Sequence, residues 1–157
     1  MNEEYLNIYN NLIRLTRNKS IFLNLKNKDT FSDRLIIFLL HFGFFLKNYK
    51  NDISKKDSQK LFDFVIKQIE LSIREIGYGD VSVNKKMKDY VNLFYALLEK
   101  IEIWENLDNS KKMILLSEFM NIKKKDDFFV VYFDKFEDFL IKNSFKIFSK
   151  DILKPKF

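Results

Sequence analysis

Cysteine is absent from these 157 residues, and histidine occurs once, at His41. Without a thiol there is no disulfide scaffold, thiolate metal centre or cysteine nucleophile. A single histidine excludes a His-rich metal site and leaves a Ser-His-Asp arrangement only one possible base. Glycine occurs three times and proline once. Such a chain cannot build a Gly-rich phosphate loop or a sandwich of many tight turns. Ala96 is the only alanine. No apolar run is long enough to span a bilayer; the longest, Leu35 to Leu46, is broken by His41 and Gly43. The start, Met1-Asn2-Glu3-Glu4, is acidic where a signal or transit peptide is basic, so a reducing cytoplasm is the expected compartment.

What is abundant is apolar and aromatic. Hydrophobic residues make up 46% of the chain and charged residues 32%, which suits one globular domain. With turn formers so scarce, the expected fold class is all-α, a single-domain bundle of about six helices. There are 18 Phe, seven Tyr and one Trp. That is more than a core of this size needs, so two readings stand side by side. The excess lines an open groove for an apolar helix, or it is a Phe-rich core drawn from A/T-rich codons.

Apolar spacing predicts helices over about residues 4–19, 30–50, 54–76, 80–105, 109–121 and 125–148. Asp29, Thr30 or Ser32 can cap the second, whose apolar content is nearly all-round and places it centrally. The third carries Leu61, Val65, Ile69 and Ile73 on one stripe and stops at Gly77-Tyr78-Gly79, where glycine is the usual left-handed C-cap. Asp80 or Ser82 starts the fourth. Phe128 to Phe133 reads locally like a strand, but Phe129, Phe133, Phe136 and Leu140 keep helical spacing. Three segments are expected: an N-terminal helix and basic loop (1–28), an α-helical domain (29–150), and a frayed basic tail (151–157) that Pro155 keeps from extending a helix.

The formal charge of +6 sits at the ends, with +3 in residues 1–28 and +4 in residues 141–157. Such ends favour an anionic surface of phospholipid, ribosomal RNA or an acidic partner. Lys85, Lys86 and Lys88, and the run Lys123 to Lys125, read either as phosphate contacts or as solvated faces. No RNA-binding signature on a sheet is present. His41 reads first as a core histidine, since no serine or carboxylate is placed to complete a catalytic pair. The acids alternate with lysines as solvated faces do, without metal-ligand spacing, so neither metal nor cofactor is expected.

One segment is specific. Ile73-Arg74-Glu75-Ile76-Gly77-Tyr78-Gly79-Asp80-Val81-Ser82-Val83-Asn84-Lys85-Lys86-Met87-Lys88 resembles the "LREMGVGDLGVGKKMK" stretch of the ubiquinol–cytochrome c chaperone family. Asp33-Arg34 leading into Leu39-Leu40-His41-Phe42, then Gln59-Lys60-Leu61-Phe62-Asp63 and Phe94-Tyr95, are similar to further elements of that family in the same order. The resemblance covers Asp29 to Trp104, more loosely to Asn121. Tyr78, Ser82 and Asn84 replace smaller residues, and Ala96-Leu97 stands where the family has Gly-Arg.

The resemblance implies an all-α, non-enzymatic assembly factor of the respiratory bc1 complex. It would bind newly made cytochrome b, with a small helper protein, near the ribosome at the inner membrane. A bacterial member would work in the cytoplasm, peripheral to that membrane, and would need no DNA. The expected client-contact region is His41, Phe42, Phe45, Arg74, Glu75, Asp80, Lys85, Lys86, Phe94 and Tyr95, along an apolar groove beside a tight corner at Gly77 and Gly79. Two other classes remain open: a ribosome- or RNA-bound basic helical protein, and an enzyme with His41 as base.

Overall fold

The computed structural model describes residues 2–25, 30–120, 122 and 127–154. Among them the chain is all-α, with eight helices and no strand. These are α1 (Asn2–Thr16), α2 (Lys19–Leu23), α3 (Phe31–Tyr49), α4 (Lys55–Ile76), α5 (Asp80–Ile101), α6 (Asn109–Phe119), α7 (Phe128–Lys142) and α8 (Lys146–Lys150), with a 3₁₀ turn at Trp104–Asn106 before α6. Asp29, Lys123 to Lys125 and Pro155, to which the sequence reading assigned a cap, a basic run and a helix stop, lie outside the described residues.

Local chemistry sets the boundaries. Thr30 accepts from the Asp33 N–H at 3.1 Å and donates to the Asp33 carboxylate at 2.8 Å, a reciprocal cap that starts α3. Ser54 caps α4 through the Asp57 N–H, and Asp108 caps α6 through the Lys111 N–H. Two expected helices are shorter than their apolar spacing suggests. The first stops at Thr16, because Asn18 leaves the helical region and caps a new short helix through the Ser20 N–H. The last breaks at Asn143, whose side chain takes the Phe139 carbonyl, while the Tyr49 hydroxyl donates to the Leu140 and Asn143 carbonyls. Competition of this kind with the backbone ladder ends helices. Phe145 and Phe148, expected on the same helix as Phe129, therefore lie beyond the break, Phe148 on α8.

α3 is the axis of the bundle, with every residue from Ile37 to Phe45 buried. α1, α5 and α7 pack around it. Gly43 sits where α5 crosses: a Cβ there would lie 2.7 Å from Ile101 Cδ1 and 2.8 Å from Leu97 Cδ2. Rings fill the remainder. Phe42 stacks on Phe94, Phe44 stacks on Phe133 and meets the Trp104 edge, and Phe45 meets Phe148. Among the described phenylalanines only Phe31 is exposed, so the core absorbs nearly all of the aromatic excess.

Polar ties hold the outer helices to this core. Buried Asn11 on α1 donates to the Phe148 and Asp151 carbonyls, both at 2.7 Å, and accepts from the Leu153 N–H at 3.0 Å. Residues 151–153, expected to fray, are thus fastened to α1. Lys47 is paired with Glu105 and, at 2.9 Å, with Glu137. Asp134 accepts from Trp104 Nε1 and from Lys112 Nζ. No buried side-chain polar atom among the described residues lacks a hydrogen-bond partner.

Candidate functional site

The corner between α4 and α5 carries most of the sequence-selected residues. Gly77 closes α4 with φ 107°, a conformation that costs an L side chain on the order of 1–2 kcal/mol. Gly79 has φ −74°, which any residue adopts. A Cβ at either glycine would meet nothing within 4 Å, so the corner has room for a side chain and conformation alone selects Gly77. Arg74 spans the turn, pairing with Asp80 and, at 3.1 Å, with Glu70. Arg74 and then Lys67 hold the Glu70 carboxyl below its usual range, while Asp80 and Glu70 raise the Arg74 guanidinium. Lys86 lies 4.5 Å above the Tyr78 ring centroid. Ile76, Tyr78 and Val81 are exposed here, with Glu75 and Lys85 alongside.

Four of the ten expected contact residues are not at the surface. His41, Phe42, Phe45 and Phe94 are completely buried, because α3 is enclosed on all sides and their rings are spent on one another and on α5, α7 and α8. In this conformation no client can reach them. His41 Nδ1–H donates to the Ile37 carbonyl at 2.8 Å, so Nε2 accepts from the Tyr132 hydroxyl at 2.6 Å. Burial lowers the imidazole pKa to about 4 and raises that of the Tyr132 phenol. The ring is thus a neutral core histidine bonded to neither serine nor carboxylate. The other six, Arg74, Glu75, Asp80, Lys85, Lys86 and Tyr95, retain surface, and Tyr95 is 54% exposed with its ring over Phe62.

A cavity and a groove, both largely apolar, lie outside the expected region. A cavity of about 570 Å³ opens between α1, α2, α3 and α4, one to two turns before the Gly77 corner. Its walls are Tyr9, Ile13, Phe22, Leu35, Phe38 and Ile69, with Arg17, Lys19 and Arg34 also lining it. Burial raises the Tyr9 phenol pKa; a hydrogen bond with Ser72 and the Arg17 charge counter this, and Glu75 adds to it. A shallower groove of about 450 Å³ runs between α5 and α6 over Ala96, Ile103, Leu107, Ile114 and Leu115. Ile103 is 51% and Ile114 61% exposed, and the Lys100–Glu118 ion pair joins the two helices.

Sequence reasoning passed over both surfaces. Ile114 did carry a signal: it falls off the Met113–Leu116–Met120 spacing, and α6 and its C-cap are buried through Leu115, Leu116 and Met120. The cavity had none, since it exists only where α1 and α2 meet α3 and α4. Among the described residues no group of acids and histidine could hold a metal ion, and no helix is long and apolar enough to cross a membrane.

No curated protein and no solved structure matches this chain. A family model described as ubiquinol–cytochrome C chaperone matches residues 23–122, which runs from the end of α2 through α6 and contains the α4–α5 corner and the whole α5–α6 groove. The matched span includes the ordered elements read from Asp29 to Asn121, and the chain belongs to the ubiquinol–cytochrome C chaperone family.

Proposed function

We propose that this protein assists assembly of the cytochrome bc1 complex by holding an apolar transmembrane segment of newly made cytochrome b along the outer face of α5 and the α5–α6 groove. The observation that carries this reading is an exposed, largely apolar groove between α5 and α6 that is built wholly from family-matched residues. An apolar helix laid in such a channel buries its face without any reactive group.

The face has direction. Val81, Lys85, Lys88, Tyr95 and Glu99 recur at helical spacing along α5, all exposed, and Ile103 follows just beyond its end. Twenty-two residues of helix measure about 33 Å, close to the apolar thickness of a bilayer. Lys85, Lys86 and Lys88 stand toward the corner end, among the exposed Ile76, Tyr78 and Val81, while Ile103 and Ile114 stand at the groove end beside the Lys100–Glu118 pair. A client helix whose head-group-proximal end meets Lys85 and Lys86 matches that polarity. Arg74, Glu75 and Asp80 then flank the client at the corner. The protein works at the cytoplasmic side of the bacterial inner membrane, peripheral to it, with a small helper protein as a further partner.

A second reading rests on the packing of α1 against α8, which brings the two basic ends of the chain together. That surface suits ribosomal RNA or anionic lipid, and its binding falls steeply with salt, whereas apolar client binding does not. Affinity capture of tagged protein from cells, with and without ongoing translation, decides the matter. Enrichment of cytochrome b over other membrane proteins, persisting at moderate salt, supports the client reading; equal recovery of all membrane proteins overturns it.

A further inference from the structure

The cavity between α1, α2, α3 and α4 is a different kind of site from the α5–α6 groove. Half of its lining, from Tyr9 to Phe22, precedes the family-matched span. At about 570 Å³ it lies within the range of small-molecule sites. Its walls are aromatic and aliphatic, with the Tyr9 and Phe38 rings paired at 5.4 Å. Every charged residue lining it is cationic: Arg17, Lys19 and Arg34. Arg17 and Lys19 form no ion pair with any described carboxylate. The Arg34 guanidinium lies 5.6 Å from the Phe22 ring centroid, where a cation and an apolar wall meet.

We propose that this cavity binds the anion of a free long-chain fatty acid, its acyl chain between Tyr9, Ile13, Phe38 and Ile69 and its carboxylate at Arg17 and Lys19. Apolar walls alone would accept any greasy ligand. Arg17 and Lys19, without an ion pair among the described residues, select one with a single negative head, and a carboxylate accepts from guanidinium and ammonium donors together. An apolar client helix brings no charge to these cations.

The test uses the full chain and displacement of the fluorescent fatty acid cis-parinaric acid. Palmitate should displace it at a one-to-one ratio. Binding should weaken about 4-fold for each methylene removed toward laurate. The uncharged analogue hexadecanol should bind at least about 10-fold more weakly, and so should palmitate to the Arg17→Glu, Lys19→Glu double variant. Ile13→Trp and, independently, Ser72→Phe should abolish binding by filling the cavity from opposite walls, and the two variants guard against one failing to fold. Ile114→Lys, in the other groove, should bind palmitate unchanged while losing the client, which separates this proposal from the client reading. Equal affinity for palmitate, laurate and hexadecanol, or no effect of the charge reversals, overturns the proposal. So does binding to phosphatidylglycerol vesicles without binding to monomeric palmitate.

Discussion

Asn11 and Leu153, 142 positions apart, are joined by a 3.0 Å hydrogen bond from the Leu153 N–H to the Asn11 Oδ1. The same amide donates to the carbonyls that end α8, so one side chain on α1 satisfies three backbone groups. Asn11→Ala leaves them without partners, and the loss should be about 2 kcal/mol in urea unfolding. Hydrogen exchange should rise selectively over residues 146–153. Uniform exchange across the chain would mean that Asn11 does not fasten this end.

His41 sets a dependence on acid. Its folded pKa of about 4 lies below the ordinary 6.5 because burial penalises the imidazolium. Between those values the unfolded chain binds a proton that the folded one does not, so stability falls as pH falls through that window and is fully present above it. The whole step is worth about 3 kcal/mol, of which about 2 is lost by pH 5. Glutamine keeps a donor and an acceptor but does not titrate. The difference in stability between wild type and His41→Gln should therefore shrink or reverse from pH 7 to pH 5. A parallel pair of pH profiles would remove His41 as the cause.

The three glycines should respond differently to substitution. Gly77→Ala forces a side chain into the left-handed region and should cost about 1–2 kcal/mol. Gly79→Ser keeps an accessible conformation and supplies the side-chain cap that α5 lacks, for a gain of about 0.5–1 kcal/mol. Gly43→Ala presses on the tips of Ile101 and Leu97 and should cost about 1 kcal/mol, overpacking being offset in part by better helix propensity. Gly43→Val should cost markedly more. Thermal melts of the four variants establish the order.

Ile114→Lys probes the groove with the fold intact. The side chain is largely in water, so stability should shift by no more than about 0.5 kcal/mol. Recovery of cytochrome b with the tagged variant should nevertheless fall several-fold. Unchanged recovery would move the client elsewhere on the surface.

Much of the fold is legible in the chain itself. Thr30, Ser54 and Gly77 mark helix ends by chemistry that acts within four residues, and the all-round apolar α3 announces a central helix. What escaped depends on distant partners. The break at Asn143 needs the Tyr49 hydroxyl, which arrives from α3. His41, Phe42 and Phe45 look like contact residues beside a family motif, yet their apolar setting is the mark of a core. The motif showed where the family signature lies, and it could not show which of its residues reach solvent.

The central position of α3 carries a consequence for biosynthesis. His41 meets Tyr132 91 residues downstream, and Phe44 stacks on Phe133. As the chain leaves the ribosome, the greasiest helix emerges long before the helix that shelters it. For several seconds at ordinary elongation speeds, about 5–20 residues per second, a member of a chaperone family is itself an unsheltered nascent chain.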